Sequence, residues 1–229
     1  FNKIHITRAT MSMEKRGPDF QDIYIDEWVG LGHRRLSVID TSENANQPMW
    51  DASGRYCLVY NGEIFNFANL KRELEAKGIT FRSQSDTEVL LNLYILEKEK
   101  CLRQLNGFFS FCIYDNVEQS FFMARDRYGV KPLLYLFDED KFIFASEMKT
   151  MLQYGIDQTL DHVSLVTYLQ LNYIPAPQTI FRSVKKLLPG QYLILAGKKL
   201  HIATWYSIPF DAEEARGNPL SYTDAKTRF

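Results

Sequence analysis

Apolar and polar residues follow two rhythms along this chain. Short runs rich in aromatic and branched side chains predict strands at 55–60, 109–114, 121–124, 133–137, 142–145, 191–195 and 200–205. Residues 22–27 alternate toward another strand, and 28–39 read as a strand pair around Gly30 and Gly32. The spacing of three and four predicts a helix over 68–77, stopped by Gly78 at the position where a left-handed residue closes a helix. Ser85-Asp86-Thr87-Glu88 is a capping box and opens a helix running to Leu96. Further helices are expected ending near 11–15, over 147–152, and from an Asp161 cap to Leu171, stopped by Pro175 and Pro177. Asn61-Gly62 predicts a turn between strand 55–60 and helix 68–77, since both residues tolerate positive φ. Strands fall in antiparallel hairpins and helices are grouped. That pattern predicts an α+β fold of two packed sheets covered by helices, not a doubly wound one.

Composition narrows the function classes. The 229 residues are 45% hydrophobic and 14% aromatic, enough for a large strand-rich core. A net charge of −1 gives no electrostatic footprint for nucleic acid. No apolar run approaches the roughly 18 residues of a membrane span. No signal peptide and no G-x-G-x-x-G or phosphate-loop pattern is present. Cys57, Cys101 and Cys112 lack metal-ligand spacing and are expected to be small buried hydrophobes in a reducing cytoplasm. The chain starts at Phe1, and its natural start is expected upstream.

Four residues carry candidate chemistry. An amide at Asn61 beside the backbone N–H of Gly62 suits an oxyanion hole, or simply a turn. Arg35 presents a planar fork that fits a carboxylate, or a solvated charge at a strand end. Asp86, at a helix start, could take an ammonium group or merely oppose the helix dipole. His33 reads as a partly exposed strand residue, Glu63 and Glu147 do not make an acid–base pair, and Arg125-Asp126-Arg127 reads as a turn held by local ion pairs.

Taken in order, Arg16-Gly17-Pro18-Asp19, His33-Arg34-Arg35-Leu36-Ser37, Tyr60-Asn61-Gly62-Glu63-Ile64-Phe65-Asn66, Ser85-Asp86-Thr87-Glu88, Ala124-Arg125-Asp126-Arg127-Tyr128-Gly129 and Phe144-Ala145-Ser146-Glu147 form one linked set. The chain resembles the class II glutamine amidotransferases, which are N-terminal-nucleophile hydrolases. Tyr173-Ile174-Pro175-Ala176-Pro177 and Leu188-Pro189-Gly190 resemble the asparagine synthetase branch. The resemblance implies a four-layer αββα sandwich of two antiparallel sheets. It implies glutamine hydrolysis by an N-terminal cysteine whose own α-amino group is the base. It places Arg35 on the glutamine carboxylate, with Leu36, Ser37, Val38 and Ile39 lining the pocket. Asp86 and Glu63 would take the ammonium, and Asn61 and Gly62 the oxyanion. It implies no metal or cofactor here; ATP and magnesium belong to a C-terminal synthetase domain of the same polypeptide, which turns aspartate into asparagine. The amidotransferase domain is expected over 1–208, with 209–229 a linker and the start of the synthetase domain. A homodimer is left open. The sequence departs from the family in lacking the initial cysteine, and 1–16 is short for the first helix. Rival readings are an amidotransferase for a sugar or nucleotide precursor, and a binding domain without a nucleophile.

Overall fold

A computed structural model describes residues 3–210 and 222–228. In chain order its elements are α1 (Lys3–Met11), β1 (Phe20–Ile25), β2 (Gly30–Arg35), β3 (Met49–Trp50), β4 (Tyr56–Ile64), α2 (Phe67–Ala76), α3 (Asp86–Glu97), β5 (Gly107–Asp115), β6 (Ser120–Arg125), β7 (Leu134–Phe137), β8 (Phe142–Ala145), α4 (Met148–Met151), α5 (His162–Leu171), β9 (Lys185–Lys186), β10 (Gln191–Ala196), β11 (Lys199–Thr204) and α6 (Tyr222–Arg228). Six strands form an antiparallel sheet in the order β11-β10-β6-β5-β4-β3.

The central strands are apolar on both faces, and the reason is that both faces are covered. On one face Tyr56, Leu58, Tyr60, Phe109, Phe111, Ile113 and Phe122 pack against Leu70 and Leu74 of α2 and Val89, Leu90 and Leu93 of α3. On the other, Cys57, Val59, Cys112, Tyr114 and Met123 meet Leu31 of β2, Leu133, and the partly buried Phe142 and Phe144 of β8. Each fully buried aromatic here contributes about 1.5–3 kcal/mol relative to exposure. A third cluster, with Leu134, Leu136, Ile143, Ala145 and Met151, lies behind β7 and β8. The order helix, sheet, sheet, helix is the expected α+β sandwich. The second sheet layer comes in two pieces, β1-β2 and β8-β7-β9.

Three local readings are corrected. Asn61 and Gly62 make no turn: β4 runs on to Ile64, pairing Asn61 with Ser110 and Gly62 with Phe109. Neither residue has positive φ. Gly62 is required by close approach instead, since a Cβ there would lie 2.3 Å from the Phe108 carbonyl oxygen. Residues 28–39 hold one strand, β2, whose partner is β1, because the Asp26 carboxylate turns the chain by accepting the Trp28 and Val29 N–H groups. Helix α5 ends at Asn172, which takes φ of 61°, before the prolines are reached. The linker expected from residue 209 falls largely on 211–221, outside the described residues; α6 follows it.

Candidate active site

A cavity of about 900 Å³ lies between β2 and β8, over the end of β4 and the start of α3. It is lined by Arg35, Leu36, Val38, Ile39, Asn61, Gly62, Glu63 and Asp86. These are eight of the nine residues expected at the site. Ser37 does not line it; its backbone N–H turns away to the Asp19 carboxylate at 2.7 Å. Residues far apart in sequence converge because β2 and β4 end at the same edge of the two sheet layers and α3 starts beside them.

Asp86 is held as an acceptor in a nearly dry place, only 6% exposed. Its Oδ2 accepts from the Tyr60 hydroxyl at 2.8 Å and from the Ile64 N–H at 3.1 Å. Burial pushes its carboxyl above the ordinary value, and the nearby Glu63 charge adds to this, while the hydrogen bonds act in the opposite direction. The helix start is built separately. Ser85 Oγ accepts from the Glu88 N–H, but Glu88 does not reach back to the cap residue. Its buried carboxylate accepts instead from the Arg82 and Ser83 N–H groups and the Ser83 hydroxyl. That frees Asp86 from capping work.

Arg35, also 6% exposed, organises the loop that follows β2. Its guanidinium donates to the Ser42 carbonyl and Asn46 Oδ1, both at 2.8 Å, to the Ile39 carbonyl at 3.4 Å, and to the Asp40 carbonyl. Asp40 sits at a positive φ of 51°, and its carboxylate accepts from the Gln84 N–H at 2.6 Å. One residue therefore ties the Arg35 loop to the segment leading into α3 and Asp86. The exposed side chains of Leu36 and Val38 flank the cavity mouth.

Asn61 directs its side-chain N–H₂ toward Ser146 Oγ at 3.3 Å, a long contact that leaves the amide free to serve another acceptor.

His33 is the partly exposed strand residue expected, half-buried in β2, and it also lines the cavity, a role the sequence reading did not give it. Nε2 lies 3.1 Å from the Tyr60 carbonyl, while Nδ1 is buried without a partner. Burial, joined by the Arg35 charge and opposed by the Tyr60 bond, lowers the imidazole to about 4. The ring is thus neutral at pH 7, with Nε2 donating and Nδ1 an open acceptor. Strand periodicity was the available signal: Leu31, His33 and Arg35 share one face of β2, so an inward Arg35 implies an inward His33. Tyr60 and Gln47 were also missed; Gln47 Oε1 accepts the Tyr60 N–H at 2.6 Å and fixes the strand beside the site.

The three cysteines are free and buried, as expected. Burial pushes the Cys57 thiol up to about 12, and raises Cys101 and Cys112 as well, so none supplies a thiolate at neutral pH. The turn at Arg125-Asp126-Arg127 is held differently from expectation. No ion pair involves these residues among those described; their charges bind backbone. Asp126 accepts from the Tyr128, Val130 and Lys131 N–H groups, and Arg125 donates to the Lys131, Leu187 and Gly129 carbonyls.

The family profile of the glutamine amidotransferase domain matches residues 2–206. The chain belongs to that family. The amidotransferase domain is of class II, the N-terminal-nucleophile type. It is 40% identical over 216 residues to asparagine synthetase [glutamine-hydrolyzing] 1 of Bacillus subtilis, covering 94% of this chain and 34% of that protein. It is 37% identical over 232 residues to asparagine synthetase [glutamine-hydrolyzing] 3 of the same organism, covering 96% and 38%. The chain thus spans little more than a third of these relatives. Among solved structures it is similar to glutamine phosphoribosylpyrophosphate amidotransferase from B. subtilis, with a TM-score of 0.57 over 77% of this chain and 35% of the other. At 23% identity that likeness establishes the fold alone. No helix among the described residues is long and apolar enough to cross a membrane.

Proposed function

We propose that this domain hydrolyses the side-chain amide of glutamine to glutamate and ammonia, and passes the ammonia to a synthetase domain that converts aspartate to asparagine in the cytoplasm. The observation that carries this reading is the convergence of Arg35, Asp86, Asn61 and Gly62 on one cavity. A guanidinium and a carboxylate are the pair needed to grip the two ends of a free amino acid. In binding, the glutamine carboxylate takes donors that Arg35 now spends on its loop, and the ammonium joins Asp86, with Glu63 adding negative charge. The Asn61 amide and the Gly62 N–H stabilise the oxygen of the tetrahedral intermediate.

The nucleophile is an N-terminal cysteine, as the family resemblance implies; the three thiols in the sequence are buried and protonated. β2 and β8 both line the cavity, and each has a single strand partner among the described residues. On this reading the thiol of that N-terminal residue reaches the cavity beside these two strands. The α-amine of that residue, with an ordinary value near ~8, serves as base. No cluster of His, Cys, Asp or Glu among the described residues suits a metal ion. As the family resemblance implies, ATP and magnesium serve the synthetase step in the other part of the polypeptide. The identity to two asparagine synthetases favours aspartate over a sugar or nucleotide as ammonia acceptor. The test is glutamate release by the complete polypeptide, before and after alkylation of its N-terminal residue. Folded protein that releases no glutamate refutes the reading and favours a binding domain.

A further inference from the structure

Residues 160–181 form an excursion closed at its base, with the return leg tied to β9 where the Lys186 N–H and ammonium donate to the Pro177 and Ile174 carbonyls. Leu160 and Phe181 close the base as an antiparallel bridge, and the Asp161 N–H donates to the Ile180 carbonyl at 2.9 Å. Between them runs α5, in which Ser164 alone is buried. Its ten residues carry no Asp, Glu, Lys or Arg. Val163 is 75% exposed and Leu169 72%, and Val166, Tyr168, Leu171 and Tyr173 are exposed as well. These positions surround most of the helix. No α5 residue lines the cavity, so the patch is separate from the candidate active site. A ten-residue helix is too short to hold itself in water. One without a formal charge that turns exposed valine, leucine and tyrosine side chains to several sides gains from being covered, although His162, Ser164, Thr167 and Gln170 interrupt its apolar surface. A contiguous exposed patch of this kind marks an interaction surface.

We propose that α5 is the element by which this domain docks onto the remainder of a longer polypeptide, seated in an apolar groove there. This rests on the reading that the domain is one part of a synthetase. Size argues for a tethered partner over a second copy. A helix ~15 Å long and ~10 Å thick offers a lateral surface of about 500 Å². A free dimer of ordinary stability needs about 800 Å² from each partner. A tether supplies an effective concentration near millimolar, so a smaller apolar contact suffices. The B. subtilis relatives have such a partner in reach, since this chain accounts for 34% and 38% of their length.

The experiment is hydrogen exchange on the complete polypeptide, with sedimentation and glutaminase assays alongside. The α5 amides are expected to exchange at least ~100-fold more slowly than unprotected amides, independent of protein concentration. In the double variant Val163→Glu and Leu169→Glu that protection is lost. Glutamine-supported product formation falls about tenfold, while glutamate release stays within about twofold, because the sites are separate. Unprotected α5 amides in the parent protein overturn the proposal. So does protection that rises with concentration in step with dimer formation, which assigns the helix to a second copy, and so does a double variant that behaves like the parent. Loss of glutamate release in the parent would strike the glutaminase reading instead and leaves the exchange result decisive for docking.

Discussion

Replacing Asp86 by asparagine separates what the carboxylate does for binding from what it does for folding. Asparagine has nearly the same shape and keeps an oxygen for the Tyr60 hydroxyl and the Ile64 N–H, which now bond at 2.8 Å and 3.1 Å. What it removes is a charge in a site 6% exposed. Because burial raises the folded carboxyl above its unfolded value, the charged form is less favourable folded than unfolded. That deficit is absent below the unfolded value and grows as pH rises from there through the raised folded value. Asp86→Asn is therefore expected to be at least as stable as the parent at pH 7, with the advantage vanishing at acid pH. Binding moves the other way. A hydrogen bond to a charged group contributes about 1.5–3 kcal/mol, so the glutamine KM should rise about 10- to 100-fold. Thermal melts at pH 7 and pH 4, with glutaminase kinetics on the complete polypeptide, make the measurement. A variant that melts several degrees lower at pH 7 would show that the charge supports the fold, since 1 kcal/mol corresponds to about 2–4 °C at this size. An unchanged KM would remove Asp86 from the substrate.

Arg35→Ala should raise the glutamine KM at least ~10-fold, and Arg35→Lys should not rescue it, because an ammonium cannot reproduce a four-acceptor fork; full rescue by lysine would refute this. Asn61→Ala should lower kcat by about 10²–10³ with little change in KM, the mark of a contact made in the transition state; equal losses in binding would contradict it. Gly62→Ala should destabilise by more than ~2 kcal/mol in urea unfolding, since its Cβ would meet backbone on β5 with no rotamer to relieve it; an unchanged midpoint would refute the close-approach argument. For His33, lowered from 6.5 to about 4, stability is present above 6.5 and lost as pH falls toward 4, by a few kcal/mol at most. His33→Gln should flatten that fall between pH 7 and pH 4.5, and identical pH slopes in the two proteins would exclude the histidine.

Most hairpins and helices were legible because their patterns are local. The runs 109–114 and 121–124 lie within β5 and β6, and 68–77 lies within one residue of α2. Failures came where a local signal had a non-local cause. Asn61-Gly62 carries turn chemistry, yet the dipeptide lies in the middle of a strand pair because the neighbouring strand approaches too closely for any side chain at 62. The capping box at Ser85 was half right, since the Glu88 carboxylate accepts from N–H and O–H donors in the bend before the cap. His33 looked like one of three polar neighbours until its strand acquired an inside.

Residue types and their order were enough to define the family and to nominate Arg35, Asn61, Gly62 and Asp86, because each motif is a short string whose chemistry travels with it. Which of those groups share a cavity, which are charged there, and which are already engaged depended on packing. Hydrogen-bond partners such as Asp40 for Arg35 and Tyr60 for Asp86, and the burial that moves a titration, exist only once distant strands are brought together. Dielectric and contact are properties of an enclosed volume, and no single stretch of chain encloses one.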